Sequence, residues 1–124
     1  MTQEQKDLLL KDLCARLPYE VKVSVNDKVE IVDGISVLDN VIDYGSWLSS
    51  EVEEVKPYLF PLESMTEEQK EEYCNLQQKI IYNSKGLINS DIMEYVNWCY
   101  KNHIDINNLI SLGLAIDATN LNIY

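Results

Sequence analysis

The only histidine of the chain, His103, is the first residue to consider for catalysis, because nucleophilic catalysis by Ser or Cys requires a nearby base. It follows the predicted end of a helix, with Asn102 before it and Asp105 shortly after it. A histidine at such a position is stabilised by the helix dipole and can cap free carbonyl groups, so we expect a structural role. No motif supports a dyad with Cys74 or Cys99. We therefore assign no catalytic residue and do not expect an enzyme.

The three cysteines, Cys14, Cys74 and Cys99, are widely spaced and include no Cys-x-x-Cys pair. This pattern predicts neither a disulfide framework nor a structural zinc site. We expect buried free thiols, because a free cysteine packs as a small apolar side chain.

The segments that contain oxygen ligands or glycine predict neither a calcium site nor a phosphate site. Residues 105–108 resemble the start of a calcium loop, but Leu109 and Ile110 stand where an EF-hand needs an oxygen ligand and a glycine. An N-cap formed by Asp105 or Asn107 is the better interpretation. The four glycines are isolated, so no phosphate-binding loop is expected. The sequence therefore predicts no metal and no cofactor.

Acidic residues dominate the charge: 21 Asp and Glu against 10 Lys and Arg give a net charge of −11. Such a charge opposes direct binding to nucleic-acid phosphates or to anionic lipid. Between Glu51 and Glu72, eight acids accompany two lysines. Paired carboxylates can do acid and base work or hold magnesium, but a solvated helix face explains this segment more simply.

The aromatic residues are mostly amphipathic, with eight Tyr and two Trp against one Phe. Trp98 lies outside the apolar stripe of its predicted helix, and Trp47 lies in a predicted loop after Gly45. Partly exposed Trp and Tyr are favoured at protein interfaces. The candidate protein-interaction residues are Trp47, Tyr58, Trp98 and Tyr100. The alternative is that these rings cover the margin of a small core.

The length of 124 residues predicts a single domain, 1–124, built from three parts. The first part, 1–17, is predicted to be a helix that begins with the capping-box spacing of Thr2 and Gln5 and ends at Pro18. Its apolar stripe is predicted to contain Leu10, Leu13, Cys14 and Leu17, with Leu9 at the flank.

The second part, 19–62, has the period of two that is typical of strands. Asn26-Asp27 predicts a tight turn, and Asp33-Gly34 is the strongest hairpin signal in the chain. The last strand, predicted over 52–62, contains two prolines, which indicate that it lies at an edge or ends early. Four or five strands in roughly 45 residues predict a curled antiparallel sheet that can close into an SH3-like barrel.

The third part, 66–124, is predicted to be helical. Thr66 begins a helix with the same capping-box spacing, and Lys85-Gly86 ends it. A second helix is predicted over 90–102, followed by a short helical turn over 107–112. The predicted fold class is therefore α+β, with an N-terminal helix, a sheet and two to three C-terminal helices.

The N-terminal segment 1–7 is polar and acidic, unlike a secretory signal, and no apolar run approaches the length of a membrane span. We therefore expect a cytoplasmic protein that makes no membrane contact.

Several segments resemble a set of short uncharacterised proteins from prophages and mobile elements of anaerobic gut bacteria. They are 11–19 (KDLCARLPY), 55–62 (VKPYLFPL), 64–68 (SMTEE) and 113–118 (GLAIDA). The resemblance covers most of the chain in the same order and implies a phage-related protein. It carries no known activity, so it assigns no catalytic or binding residue. That set reads Trp-Leu-Asn where this chain has Trp98-Cys99-Tyr100.

Three classes of function remain open. The leading hypothesis is a small acidic interaction or adaptor protein, which predicts a contiguous apolar-aromatic patch that binds a protein partner, or a homodimer. The second is an acidic decoy that occupies the basic groove of a nucleic-acid-binding protein, with the acids of 51–54 and 67–72 on one surface. The third is an enzyme, which needs a pocket that joins His103 to a thiol or a carboxylate.

Overall fold

The computed structural model describes residues 1–82 and 89–124. Its helices and strands are α1 (Gln3–Arg16), β1 (Lys22–Val25), β2 (Lys28–Ser36), β3 (Val41–Tyr44), β4 (Leu48–Glu51), β5 (Val55–Leu59), α2 (Glu67–Tyr82), α3 (Asn89–Lys101) and β6 (Ile116–Asp117). Short 3-10 turns lie at Leu17–Tyr19, Val52–Glu54 and Leu62–Ser64. The α+β class and the N-terminal helix predicted from the sequence are confirmed.

The six strands form one mixed, curled sheet in the order β4-β3-β2-β1-β5-β6. All neighbours up to β5 are antiparallel, whereas β6 adds to β5 in parallel. The sequence predicts four or five antiparallel strands. The structure has six, and the short strand β6 is the one that pairs in parallel. In the part of the chain that the structure describes, no pairing between β4 and β6 closes the sheet into a barrel.

The turn between β1 and β2 follows the sequence prediction. Asn26 and Asp27 have φ of 51° and 63°, the left-handed conformations that a tight hairpin turn requires. This local turn chemistry sets the register in which Val25 lies opposite Lys28.

The hairpin predicted at Asp33-Gly34 is wrong. Strand β2 continues through these residues, and its pairing with β3 shifts by one residue between Val32 and Gly34. This irregularity is a β-bulge, which accommodates an extra residue without reversing the chain. The reversal occurs at 37–40 instead, where Asn40 has a φ of 55°.

The proline-containing strand β5 lies between β1 and β6, so it is not an edge strand. It ends at Leu59, before Pro61, which agrees with the alternative prediction that the strand ends early. Residues 52–54, predicted as the start of this strand, form a 3-10 turn.

Buried side chains of α1 and of the sheet form one apolar cluster. Alternate residues of β1 point into it, as the period of two predicts. The fully buried apolar members are Leu9, Leu13, Val21, Val23, Ile42, Val52, Val55, Leu59 and Leu109. Among the three cysteines only Cys99 is buried, so the expectation of a buried thiol is wrong for Cys14 and Cys74.

The C-terminal part contains two helices in the described residues. Thr66 and Gln69 form the predicted capping box at the start of α2, with reciprocal hydrogen bonds of 3.1 and 3.0 Å. The break predicted at Lys85-Gly86 lies outside the described residues. Helix α3 agrees with its prediction to within one residue at each end. None of the described helices is long and apolar enough to cross a membrane.

The short helical turn predicted over 107–112 is confirmed in part, as a single turn that does not continue into a helix. The N–H of Leu112 bonds to the carbonyl of Asn108 at 3.3 Å, and the turn closes at Gly113, with φ of 75°, as predicted. The carboxylate of Asp105 accepts hydrogen bonds from the backbone N–H groups of Leu109 and Ile110, at 2.8 and 2.9 Å. These N–H groups come first in the turn and have no carbonyl partner within it, so Asp105 satisfies them as a cap does, from a position outside the turn.

Candidate interaction surface

Trp47 is the most exposed of the four candidate interaction residues, with 96% of its surface accessible. It lies in the turn between β3 and β4, where Gly45 and Ser46 have φ of 57° and 74°. Such a ring contributes almost no buried apolar area to the core. Folding therefore gives no reason for a tryptophan at this position.

Trp47 borders a shallow groove of about 360 Å³ on the outer face of the sheet. The groove, called here the Trp47 groove, is lined by Asp33, Gly34, Asp43, Ser46, Trp47, Leu48 and Ser49. Gly34, Asp43 and Ser49 lie opposite one another on β2, β3 and β4. Because the two flanking residues are small, the side chain of Asp43 stands in open space.

The Trp47 groove continues into a second groove of about 350 Å³ that shares Asp33 and Ser46 with it. Three carboxylates line the two grooves, from Glu30, Asp33 and Asp43, and no lysine or arginine does so in the described residues. The carboxylate of Asp33 accepts a hydrogen bond from the backbone N–H of Ser46 at 2.8 Å, which holds the turn beneath Trp47. The surface is therefore negative and aromatic together.

The second tryptophan, Trp98, is half-buried and connects the two C-terminal helices. Its indole N–H donates to a carboxylate oxygen of Glu72 on α2 at 2.7 Å. Its ring lies 6.1 Å from that of Tyr73, which in turn accepts a hydrogen bond from the hydroxyl of Tyr95 at 3.0 Å. Trp98 therefore has a structural role in holding α3 against α2.

The two candidate tyrosines lie inside the fold. Tyr58 on β5 is only 8% exposed, so its ring offers no free surface. Tyr100 is half-buried, its ring lies 4.9 Å from the guanidinium of Arg16, and its hydroxyl accepts from Asn107 at 3.3 Å. Of the four candidates, Trp47 alone presents a free ring.

A buried ion pair that sequence reasoning missed connects α1 to the segment after α3. Asp12 and Arg16 are fully buried, with Nε to Oδ1 at 2.6 Å and Nη2 to Oδ2 at 3.1 Å. Nη2 also donates to the carbonyl of Ile104 at 2.7 Å, and Asn107 donates to Asp12 at 2.8 Å. The signal was their spacing of four residues on the same helix face as Leu9 and Leu13.

His103 occupies a left-handed position, with φ of 58°, where α3 ends. The following N–H, of Ile104, bonds to the carbonyl of Cys99 at 2.9 Å, as expected after a left-handed helix C-terminus. The imidazole stacks on Tyr124 with ring centroids 3.7 Å apart. His103 is therefore a structural residue, but not in the way predicted: its Nδ1 is buried without a hydrogen-bond partner in the described residues, so the ring packs against Tyr124 and this nitrogen caps no carbonyl.

Neither His103 nor Cys99 is prepared for nucleophilic catalysis. Burial, with smaller contributions from the charges of Arg16 and Lys22, lowers the pKa of His103 to about 4. Burial raises the pKa of the Cys99 thiol to about 11, although Tyr95 and Arg16 act in the opposite direction. At neutral pH the thiol therefore stays protonated, and the described grooves include neither side chain.

Within residues 1–82 and 89–124, no group of three or more His, Cys, Asp or Glu side chains is placed to hold a metal ion. Comparisons with protein-family models, with curated proteins and with solved structures gave no match. The function must therefore be argued from the geometry of the chain itself.

Proposed function

We propose that this protein is a small cytoplasmic interaction or adaptor protein that binds a protein partner through the Trp47 groove. The observation that carries this proposal is the 96% exposure of Trp47 beside a groove that three strands line. Burying a tryptophan removes a large apolar area from water, and tryptophan is enriched among residues that dominate binding energy.

The charge of the groove indicates the chemistry of the partner. Glu30, Asp33 and Asp43 line the two joined grooves, and the whole chain has a net charge of −11. A partner with a basic surface is attracted by this field, whereas phosphate groups are repelled. We therefore propose a basic protein partner and no direct contact with nucleic acid or membrane. The resemblance to proteins of prophages supports a role in a phage or mobile element as part of the same proposal.

The acidic decoy receives less support than the adaptor. Several of the acids on which that hypothesis depends are engaged within the chain. Glu53 pairs with Lys6 at 3.5 Å, and Glu72 accepts the indole N–H of Trp98 at 2.7 Å. Carboxylates that are already paired within the chain are poor substitutes for a regular row of free phosphates.

Affinity capture from lysate of the native host, with and without nuclease treatment, tests the proposal. Trp47→Ala removes the proposed anchor, and Leu38→Ala is its matched control, because Leu38 is 97% exposed at a different turn. We expect a basic protein that the wild type and Leu38→Ala retain equally and that Trp47→Ala retains at least about tenfold less. Equal retention by both variants, or a partner lost on nuclease treatment, would overturn the proposal.

A further inference from the structure

We propose that the partner segment binds as an added strand on the free edge of β4 and places an arginine side chain in the Trp47 groove. This inference rests on the proposed function and specifies how the partner is recognised. It combines the unpaired backbone of an edge strand with the negative, aromatic surface beside it.

The edge of β4 is open to a further strand. Its four residues, Leu48–Glu51, pair with β3 on one side, and β4 is the last strand of the sheet on the other. Edge strands are commonly protected by lysine or proline, but this strand reads Leu-Ser-Ser-Glu. Within residues 1–82 and 89–124, nothing pairs with its outward N–H and C=O groups, which are therefore available to an extended segment.

The side chains of β4 define which residue of an added strand meets the groove. Ser49 lies opposite Asp43 and lines the groove, whereas Ser50 points to the other face, where its hydroxyl is 2.8 Å from that of Tyr44. A residue placed opposite Ser49 continues the row formed by Gly34, Asp43 and Ser49. It stands two strand spacings, roughly 10 Å, from Asp43, with only a serine between them.

A long cationic side chain fits this row. The carboxylate of Asp43 has no hydrogen bond or ion pair within the described residues, and that of Asp33 is nearby in the same groove. The exposed indole of Trp47 offers a face for a cation. Arginine suits the site better than lysine, because its planar guanidinium can bond a carboxylate at two points while stacking on an aromatic ring.

A second copy of this chain suits the edge poorly. Pairing two β4 strands would bring two acid-lined grooves together and would repeat Glu51 across the interface. Each chain also has a net charge of −11, and like charges in apposition are unfavourable. Charge complementarity therefore favours a basic segment of a different protein.

The test uses blocked peptides of seven residues that alternate threonine and valine around a central arginine. Binding is followed by two-dimensional NMR, through the indole signal of Trp47 and the amide signals of β4. In a second peptide citrulline replaces arginine, which keeps the shape and removes the charge. Two further peptides are N-methylated on alternate residues, so that each has one of its two hydrogen-bonding edges blocked.

We expect the arginine peptide to shift the signals of Trp47 and β4, and the citrulline peptide to bind at least about fivefold more weakly. Asp43→Asn should weaken binding of the arginine peptide by a similar factor. Glu68→Gln removes an equal charge from the exposed start of α2 and should leave that binding unchanged. One N-methylated peptide should lose binding and the other should keep it, because only one edge of an added strand faces β4.

Each contrary result has a distinct meaning. Equal binding of both N-methylated peptides would overturn strand addition, and equal binding of the citrulline peptide would overturn the cation site. If no peptide binds while capture of a partner still depends on Trp47, the inference fails and the proposed function stands. If capture is also independent of Trp47, the proposed function fails with it.

Discussion

The ion pair between Asp12 and Arg16 shows how single residues hold distant parts of this fold together. Both side chains are fully buried, and Arg16 also bonds to the carbonyl of Ile104, in the segment that follows α3. Taking two charges out of water is costly, and the hydrogen bonds around the pair offset that cost only while both partners are present. Removal of either side chain would therefore leave the other as an unpaired charge in the core.

Replacement of one partner should destabilise the protein strongly. Asp12→Ala leaves a buried guanidinium without its carboxylate, and we expect the free energy of unfolding to fall by about 3 to 5 kcal/mol. Glu94→Ala is the control, because Glu94 is exposed and pairs with Lys79 at 3.5 Å. It should change the free energy of unfolding by less than about 1 kcal/mol. Urea unfolding measures both, and equal effects would contradict this interpretation.

His103 should make stability depend on pH between about 6.5 and 4. Burial against Tyr124, together with the charges of Arg16 and Lys22, lowers its pKa from 6.5 to about 4 in the folded state. Between these values the unfolded chain binds more protons, so the free energy of unfolding falls as the pH decreases. The loss has an upper limit of about 3 kcal/mol, and most carboxylates do not titrate above pH 5.

The variant His103→Asn tests this pH dependence. Asparagine tolerates the positive φ at this position but carries no titratable group. Urea unfolding at pH 7, 6 and 5 should show a smaller decrease in stability for the variant than for the wild type. The same decrease in both proteins would show that another group is responsible.

At the scale of helices and strands, the sequence was informative wherever the controlling interaction is local. The capping box of Thr2 bonds only within its own turn, and the turn at Asn26-Asp27 depends only on its own backbone. The dipeptide Asp33-Gly34 was misread because a β-bulge is defined by the partner strand, which the local pattern does not reveal. Strand β6 was missed for a similar reason: its pairing with β5 joins residues far apart in the sequence.

Two glycines in different backbone conformations should respond differently to alanine. Gly113 has a φ of 75° with nothing within 4 Å of an added Cβ, so Gly113→Ala should cost about 1 to 2 kcal/mol through the backbone alone. At Gly34 the nearest atom to an added Cβ is 3.5 Å away, an ordinary contact, and φ is not positive. Gly34→Ala should therefore leave stability unchanged or slightly higher.

Thermal unfolding of the two glycine variants measures this difference directly. A larger loss of stability in Gly34→Ala than in Gly113→Ala would mean that the bulge in β2 cannot accept a side chain. Gly34→Ala could then not be used in binding experiments to make the Trp47 groove narrower.

For the whole molecule, composition predicted the negative charge but not its arrangement. The exposed position of Trp47 follows from its place after Gly45, which the sequence made visible. The groove beside it does not, because Gly34, Asp43 and Ser49 come together only through the registers of three strands. Trp98 and Tyr100 are amphipathic aromatic residues like Trp47. Their contacts with side chains of other helices give them structural roles.

Site-specific photo-cross-linking is the most direct test of the central claim that the Trp47 groove binds a basic protein partner. A photoreactive benzoylphenylalanine replaces Leu48, which is exposed and lines the Trp47 groove, in one variant and Leu38 in the control, so that Trp47 stays in place. Each variant is irradiated in nuclease-treated lysate of the native host. We predict that position 48 cross-links to one protein, through a segment that contains arginine or lysine, and that position 38 does not. A partner that cross-links equally at both positions, or no cross-link at position 48, would contradict this claim.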